Sequence, residues 1–192
     1  MVRISRTALA AGLTLVRRTD TARWKRNVGE EPVWDDRNVR IAGLVPDHCS
    51  VLDVGAGAQT LRRHLKPGCR YQPCDLVQSS PDVILCDFNR GIFPDLGGKS
   101  FDYVVCSGVL EYMRQLEGFV ARVRCYGRNL ILTYNVREEG SGIVDRLALG
   151  WVNHLTLSEI DDLFTRCGLT TMISAIRRPS EYIFSARATD AG

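Results

Sequence analysis

Apolar segments recur along the chain, and four of them run into a polar residue or a glycine turn. They lie at residues 50–57, 70–75, 83–87 and 101–107. Such runs are typical of parallel strands that helices cover on both faces. The carboxyl ends of parallel strands meet at one edge of the sheet, where α/β proteins bind ligands. The pattern therefore predicts an α/β fold with a mainly parallel sheet and a ligand site at that edge.

The segments around these runs predict the helices and the remaining strands. Residues 32–45 have apolar positions at helical spacing, and Pro46 follows them, which ends a helix. Thr156-Leu-Ser-Glu159 is a capping box that opens a helix reaching Arg166. The other predicted elements are helices at 60–65 and 110–124 and strands at 129–134, 170–176 and 181–186, the last two forming an antiparallel pair.

The first apolar run ends in a glycine turn, Asp53-Val-Gly55-Ala-Gly57. Glycine lacks a Cβ and tolerates positive φ, so this backbone can pass close to a bound nucleotide. Asp75 ends the next run 22 residues after Asp53, about the interval at which α/β sheets place an acid against ribose hydroxyls. Together with the order of the four runs, these residues predict a site for a nucleotide-type cofactor.

These motifs resemble those of the class I S-adenosylmethionine-dependent methyltransferases. The resemblance covers roughly residues 34–186 and includes three further segments, Cys86-Asp87-Phe88, 101–112 and 129–133. It implies a small single-domain protein with a Rossmann-like, doubly wound, mainly parallel seven-stranded sheet. Helices would cover both faces, and an antiparallel strand would lie near the C-terminus. The implied cofactor is S-adenosyl-L-methionine.

The resemblance also implies a role for each strand end. Gly55 and Gly57 would pass under the methionine part of the cofactor, and Asp75 would bind the ribose. Asp87 would face the adenine amino group, and Ser107 would border the methyl-donor end. The predicted cofactor-binding residues are Asp53, Gly55, Ala56, Gly57, Asp75, Leu76, Cys86, Asp87, Phe88, Ser107 and Gly108.

Methyl transfer from a sulfonium depends mainly on aligning the acceptor and excluding water, and only a proton-bearing acceptor needs a base. The predicted catalytic residues are His154, Glu111 and Tyr112, with Tyr134 and Asp145 as further candidates for the base. Tyr112 occupies the position at which many class I methyltransferases that act on small molecules carry histidine. Glu111 and His154 also fit purely structural roles. Residues 150–154 are the predicted substrate segment because they follow the fifth strand.

Composition narrows the class of protein. With 192 residues and 45% apolar content, the chain suits one compact domain. Its seven cysteines form no Cys-x-x-Cys pair and several lie in apolar runs, which favours free thiols in a reducing compartment. We therefore predict a cytoplasmic protein. The three histidines show no metal-ligand spacing, so no metal site is predicted.

Positive charge is concentrated at the N-terminus. Residues 1–29 contain seven basic residues and one acidic residue, whereas the whole chain carries a net charge of only +3. We predict that residues 1–30 are a basic tail or lid helix and that residues 31–192 form the methyltransferase-like domain. Three roles for the tail stay open: a helix over the cofactor mouth, a surface for an anionic substrate or nucleic acid, and peripheral contact with acidic lipid.

The predicted function is methyl transfer to an oxygen or nitrogen of a small-molecule or carbohydrate-type acceptor. One alternative is a methyltransferase-like protein that only binds or scaffolds a partner. A nucleic-acid methyltransferase is disfavoured because the fourth run ends in Cys106-Ser107-Gly108 and not in the Pro-Pro-aromatic motif of amino-group modifiers. A nicotinamide oxidoreductase is disfavoured because Thr60 occupies the third glycine position of the dinucleotide fingerprint.

Overall fold

The computed structural model of the protein describes residues 6–27, 35–138 and 140–189. Seven strands form one sheet in the order β3-β2-β1-β4-β5-β7-β6. They are β1 (Ser50–Val54), β2 (Arg70–Asp75), β3 (Ile84–Leu85), β4 (Phe101–Cys106), β5 (Gly127–Asn135), β6 (Leu169–Arg178) and β7 (Glu181–Ala188). β7 runs antiparallel to both of its neighbours, β5 and β6, and all the other pairs of neighbouring strands are parallel. The predicted seven-stranded, mainly parallel sheet is confirmed.

Helices cover both faces of the sheet, as predicted. They are α1 (Arg6–Val16), α2 (Thr21–Asn27), α3 (Asp35–Leu44), α4 (Thr60–His64), α5 (Leu116–Val123), α6 (Ile143–Ala148) and α7 (Leu157–Arg166). In β1, Leu52 packs into a core cluster with Val120 of α5, whereas its neighbour Val51 packs with Ile41 of α3 and Leu61 of α4. Successive side chains of a strand point to opposite faces, so one apolar strand supplies both cores. None of the helices in the described ranges is long and apolar enough to cross a membrane.

Several helix boundaries follow the predicted signals. Thr156 accepts a hydrogen bond from the Glu159 backbone while the Glu159 carboxylate accepts one from the Thr156 backbone, which is the predicted capping box. Gly168 ends the helix with a φ of +67°. The helix predicted at 32–45 begins at Asp35 in the structure, and positions 32–34 lie outside the described residues. The predicted boundary between residues 30 and 31 lies outside them too.

The helix predicted at 110–124 is wrong in its first half. A 3-10 turn spans Leu110–Tyr112, and α5 begins only at Leu116. Two asparagine side chains take the backbone groups that a continuous helix would use. Asn153 donates to the carbonyls of Leu110 and Met113 at 2.8 and 3.0 Å, and Asn89 accepts from the Arg114 amide at 2.9 Å.

The strand predicted at 83–87 is shorter than expected. β3 contains only Ile84 and Leu85 because the chain turns after Cys86, whose amide donates to the Asp75 carbonyl at 2.8 Å. Asp87 then pairs backward with Ile92 in an isolated antiparallel bridge. This turn carries Asp87 and the residues after it to the end of the sheet where the site lies.

Candidate cofactor site

A cavity of about 530 Å³ lies at the carboxyl ends of β1, β2 and β4. Small-molecule sites commonly measure roughly 300–1,000 Å³. Every predicted cofactor-binding residue lines it, namely Asp53, Gly55, Ala56, Gly57, Asp75, Leu76, Cys86, Asp87, Phe88, Ser107 and Gly108. Glu111 and Tyr112 line it as well, whereas His154 does not. The four predicted strand ends therefore meet at one site.

The two glycines of the turn have different surroundings. Gly55 has a φ of +78°, and a Cβ there would lie 2.3 Å from a methyl group of Val109, so this glycine makes room for the protein's own packing. Gly57 has a φ of +52°, and a Cβ there would meet no protein atom within 4 Å. Because Gly57 lines the cavity, it is the position where the missing side chain leaves space for a ligand.

Asp75 holds the glycine turn in place. Its carboxylate accepts hydrogen bonds from the amides of Gly57 and Val77, at 2.8 and 2.9 Å, one on each oxygen. Burial raises the pKa of Asp75, while these amide hydrogen bonds counteract the increase. Each carboxylate oxygen can accept a second hydrogen bond, so Asp75 retains capacity for ligand hydroxyls.

Asp53 lines the cavity and has a buried oxygen without a partner in the described ranges. The residue is only 2% exposed. Tyr71 donates its hydroxyl to Oδ2 at 2.6 Å, but Oδ1 has no hydrogen-bond partner among the described residues. Burial raises the pKa of the Asp53 carboxyl to about 7. A buried carboxylate oxygen without a partner is costly to the fold, and a cationic ligand group would compensate it.

A buried charge network forms the wall beside Ser107. The Arg37 guanidinium donates to the Ser107 hydroxyl and to the Glu181 carboxylate, at 2.8 Å in both cases. Arg177 pairs with the same Glu181 carboxylate and, at 2.8 Å, with Asp36. A Cβ at Gly108 would lie within 2.6 Å of the Arg37 guanidinium nitrogens, which explains glycine at this place. The network fixes the β6–β7 hairpin against α3 and β4.

Glu111 presents a second unpaired carboxylate oxygen. The residue is fully buried, and its Oε1 accepts two hydrogen bonds from Asn135, one from the backbone at 2.8 Å and one from the side chain at 2.6 Å. Oε2 has no partner within the described part of the chain. Burial raises the pKa of the Glu111 carboxyl above its usual value. Glu111 lines the cavity and has the chemistry of a hydrogen-bond acceptor or base.

The first two helices pack over the cavity. Thr19 donates to the Asp87 carboxylate at 2.9 Å, and Arg18 donates to the Asn89 carbonyl at 2.7 Å. Trp24 of α2 contacts Tyr112 edge to face, with ring centroids 4.7 Å apart. Seven residues between positions 14 and 24 therefore line the cavity, and the role of this segment stays a prediction. One carboxylate oxygen of Asp87 thus binds the segment between α1 and α2.

The other catalytic candidates lie away from the cavity lining. Nδ1 of His154 accepts a hydrogen bond from Arg146 at 3.2 Å, and burial together with the nearby positive charge of Arg146 lowers the pKa of the imidazole. Tyr134 donates to Asn153 at 2.6 Å, and burial raises its pKa to about 12. Neither these two residues nor Asp145 lines the cavity, and of the predicted substrate segment only residues 150–152 line it.

Several lining residues lie outside the four strand ends that the sequence predicted for the site. They are Trp24, Arg37, Asn38, Asn135, Arg177, Arg178 and Glu181. The cavity wall supplied by the β6–β7 hairpin depends on packing between segments far apart in sequence. The only local signal was Arg177-Arg178 at a predicted turn, a doublet that by itself fits a solvated surface.

Comparison with known proteins identifies the fold. No family model matches the chain, and no curated protein matches it in sequence. Among solved structures, the mitomycin 7-O-methyltransferase MmcR superposes with a TM-score of 0.64 at 14% identity, covering 96% of this chain and 68% of that one. A Burkholderia thailandensis 1,6-didemethyltoxoflavin-N1-methyltransferase, with 1,6-didemethyltoxoflavin and S-adenosylhomocysteine bound, also has a TM-score of 0.64. Its sequence identity is 20%, and the match covers 95% of this chain and 88% of that one. The chain has the class I methyltransferase fold.

This methyltransferase fold also matches a putative methyltransferase bound to the Haloferax volcanii Trm112 activator, with a TM-score of 0.60 and 17% identity over 98% and 99% of the chains. In the present chain, the cavity occupies the topological switch point of the fold. β1 continues to β2 on one side, and the next strand on its other side is β4. Open α/β sheets bind ligands in the crevice at such a point.

Proposed function

We propose that the protein is an S-adenosylmethionine-dependent methyltransferase that acts on an oxygen or nitrogen of a small-molecule or carbohydrate-type acceptor. The unpaired Oδ1 of Asp53, next to the open Gly57 at the switch point, carries this proposal. The methyltransferase fold supports it, as do the neighbours of known structure that were crystallised with S-adenosylhomocysteine.

The residues at this end of the cavity fit the cofactor chemically. Asp53 offers an anionic oxygen to the ammonium of the methionine part, and Gly57 leaves the backbone approachable. Asp75 has acceptor capacity for the ribose hydroxyls, and the segment from Cys86 to Phe88 supplies an apolar wall with one carboxylate. When bound, S-adenosylmethionine supplies a methyl group activated by its sulfonium.

The acceptor would lie toward Glu111, where α2 and the loop after β5 complete the cavity. Oε2 of Glu111 can receive a proton or hold an acceptor hydroxyl or amine by a hydrogen bond. Asn135 fixes the carboxylate by binding its other oxygen. Trp24 and Tyr112 cover the cavity and exclude water around a bound acceptor. Residues 150–152 complete its wall.

Calorimetry with S-adenosylhomocysteine tests the proposal. We expect the wild-type protein to bind this ligand and not NAD, and Gly57→Val to weaken binding by about tenfold or more because the new side chain fills ligand space. Gly97→Val is the matched control, since Gly97 has a φ of +56°, open surroundings and no place in the cavity lining. Wild-type binding of NAD alone, or equal affinities for all three proteins, would contradict the proposed site.

The affinity for S-adenosylhomocysteine should depend on the protonation of Asp53. The carboxyl has a pKa of about 7 without ligand, so at pH 6 most molecules carry a proton there. An ammonium group favours the ionised form, so binding at pH 6 must release that proton. Affinity should therefore rise by about tenfold from pH 6 to pH 8 and then level off.

Calorimetry in buffers of different ionisation enthalpy measures this proton release directly. Asp53→Asn should bind more weakly and should release no proton at pH 6. Asp82→Asn should retain the wild-type pH profile, because Asp82 lies outside the cavity lining. Proton release that persists in Asp53→Asn would assign the titration to another group.

A further inference from the structure

The outer face of α1 is apolar although it faces solvent. Leu9, Leu13 and Val16 are spaced four and three residues apart, which places them on one face of the helix. Their exposed fractions are 58%, 37% and 80%. The opposite face is turned toward the protein, where Ala11 is buried and Thr14 lines the cavity. The outer side of the helix is thus apolar, and it has no cover within the described residues.

Two further exposed apolar residues lie on the helix that packs against α1. This helix is α6, where Ile143 and Val144 are 46% and 53% exposed. We call Leu9, Leu13, Val16, Ile143 and Val144 together the α1–α6 surface. Contiguous exposed apolar patches are uncommon on monomeric soluble proteins and mark interaction sites.

Basic side chains lie at both ends of α1 and at the end of α2. Residues 6–27 contain six basic residues and one acidic residue. Arg6 begins α1, and Arg17 and Arg18 follow directly after it. Lys25 and Arg26 are exposed at the end of α2. An apolar helical face bordered by arginine and lysine is the combination that binds the interface of an anionic bilayer.

We propose that the α1–α6 surface docks on an anionic lipid membrane. Leu9, Leu13 and Val16 enter the boundary between head groups and acyl chains, and the flanking basic residues lie against the lipid phosphates. A second copy of the chain fits this surface less well. A two-fold contact through α1 would bring the two basic segments together, and like charges oppose such an interface.

Flotation with vesicles tests the docking with the full-length protein. We expect the protein to bind vesicles of phosphatidylcholine mixed with phosphatidylglycerol, not vesicles of phosphatidylcholine alone, and to dissociate as salt increases. The variant Leu9→Ser/Leu13→Ser/Val16→Ser should bind at least about tenfold more weakly because the inserted apolar area is lost. Charge reversal by Lys25→Glu/Arg26→Glu should weaken binding to the mixed vesicles as well.

A matched control is available on the edge strand β6. Met172, Ile173 and Ile176 are 66%, 45% and 54% exposed, and their triple serine variant should bind vesicles like the wild type. Circular dichroism and thermal unfolding check that each variant is folded. Equal binding to both kinds of vesicle, or no binding to either, would overturn the proposal. So would a wild-type dimer in sedimentation velocity that the α1 variant converts to a monomer.

Discussion

Glu181→Ala is expected to lower the free energy of unfolding by about 3 kcal/mol. Glu181 is 1% exposed and is the carboxylate shared by Arg37 and Arg177. Removing one partner of a buried ion pair leaves a buried charge uncompensated, which typically costs about 3–5 kcal/mol. Arg37 keeps Ser107 and Arg177 keeps Asp36, so we expect the lower end of this range.

Thermal and urea denaturation measure this effect. A loss of about 3 kcal/mol corresponds to a decrease of about 10 °C in Tm for a domain of this size. Glu117→Ala is the matched control, because Glu117 forms an ion pair with Arg166 in which both side chains are more than half exposed. Its removal should change the free energy of unfolding by less than about 1 kcal/mol. Similar losses in the two variants would show that the buried network stabilises the fold no more than an exposed ion pair does.

Asp75→Asn is expected to weaken binding of S-adenosylhomocysteine by about a hundredfold. Asp75 accepts from the amides of Gly57 and Val77 with its two oxygens. Asparagine has only one acceptor oxygen, so its NH₂ group would face one of these amide donors. A buried donor facing a donor costs about 1–3 kcal/mol, and the glycine turn would move away from the ligand. A contact to the ribose hydroxyls would be lost at the same time.

Calorimetry measures this loss, and Asp82→Asn serves as its control. Asp82 is an exposed carboxylate in the loop that follows β2, where it pairs with Arg62 at 2.9 Å. Its variant should bind the ligand with wild-type affinity. If Asp75→Asn also binds normally while remaining folded, the carboxylate neither positions the glycine turn nor contacts the ligand.

The sheet and one side of the site could be predicted from local sequence. Each buried strand is a short apolar run, and the polar residue after it must lie at the carboxyl edge of a parallel sheet. Asp53, Asp75 and Ser107 therefore come together at one end of the sheet whatever the details of packing. Their place in the cavity lining agrees with this expectation. What each residue binds there stays a prediction.

The remaining errors arise from contacts between distant segments. Residues 110–115 have a helical pattern, but Asn89 and Asn153 take their backbone groups from other parts of the chain. His154 belongs to the predicted substrate segment, but its ring accepts a hydrogen bond from Arg146 and does not line the cavity. Such interactions depend on which side chains the finished fold brings together, and sequence periodicity carries no information about them.

The shared carboxylate of Glu181 also determines when the cavity can be completed during synthesis. Arg37 and Glu181 are 144 positions apart. A ribosome produces the chain from its N-terminus, so α3 and the glycine turn exist long before β7. Until β7 emerges, the guanidinium of Arg37 lacks its carboxylate and the hairpin wall is missing. A ligand that contacts the hairpin wall can therefore be held there only by the nearly complete chain.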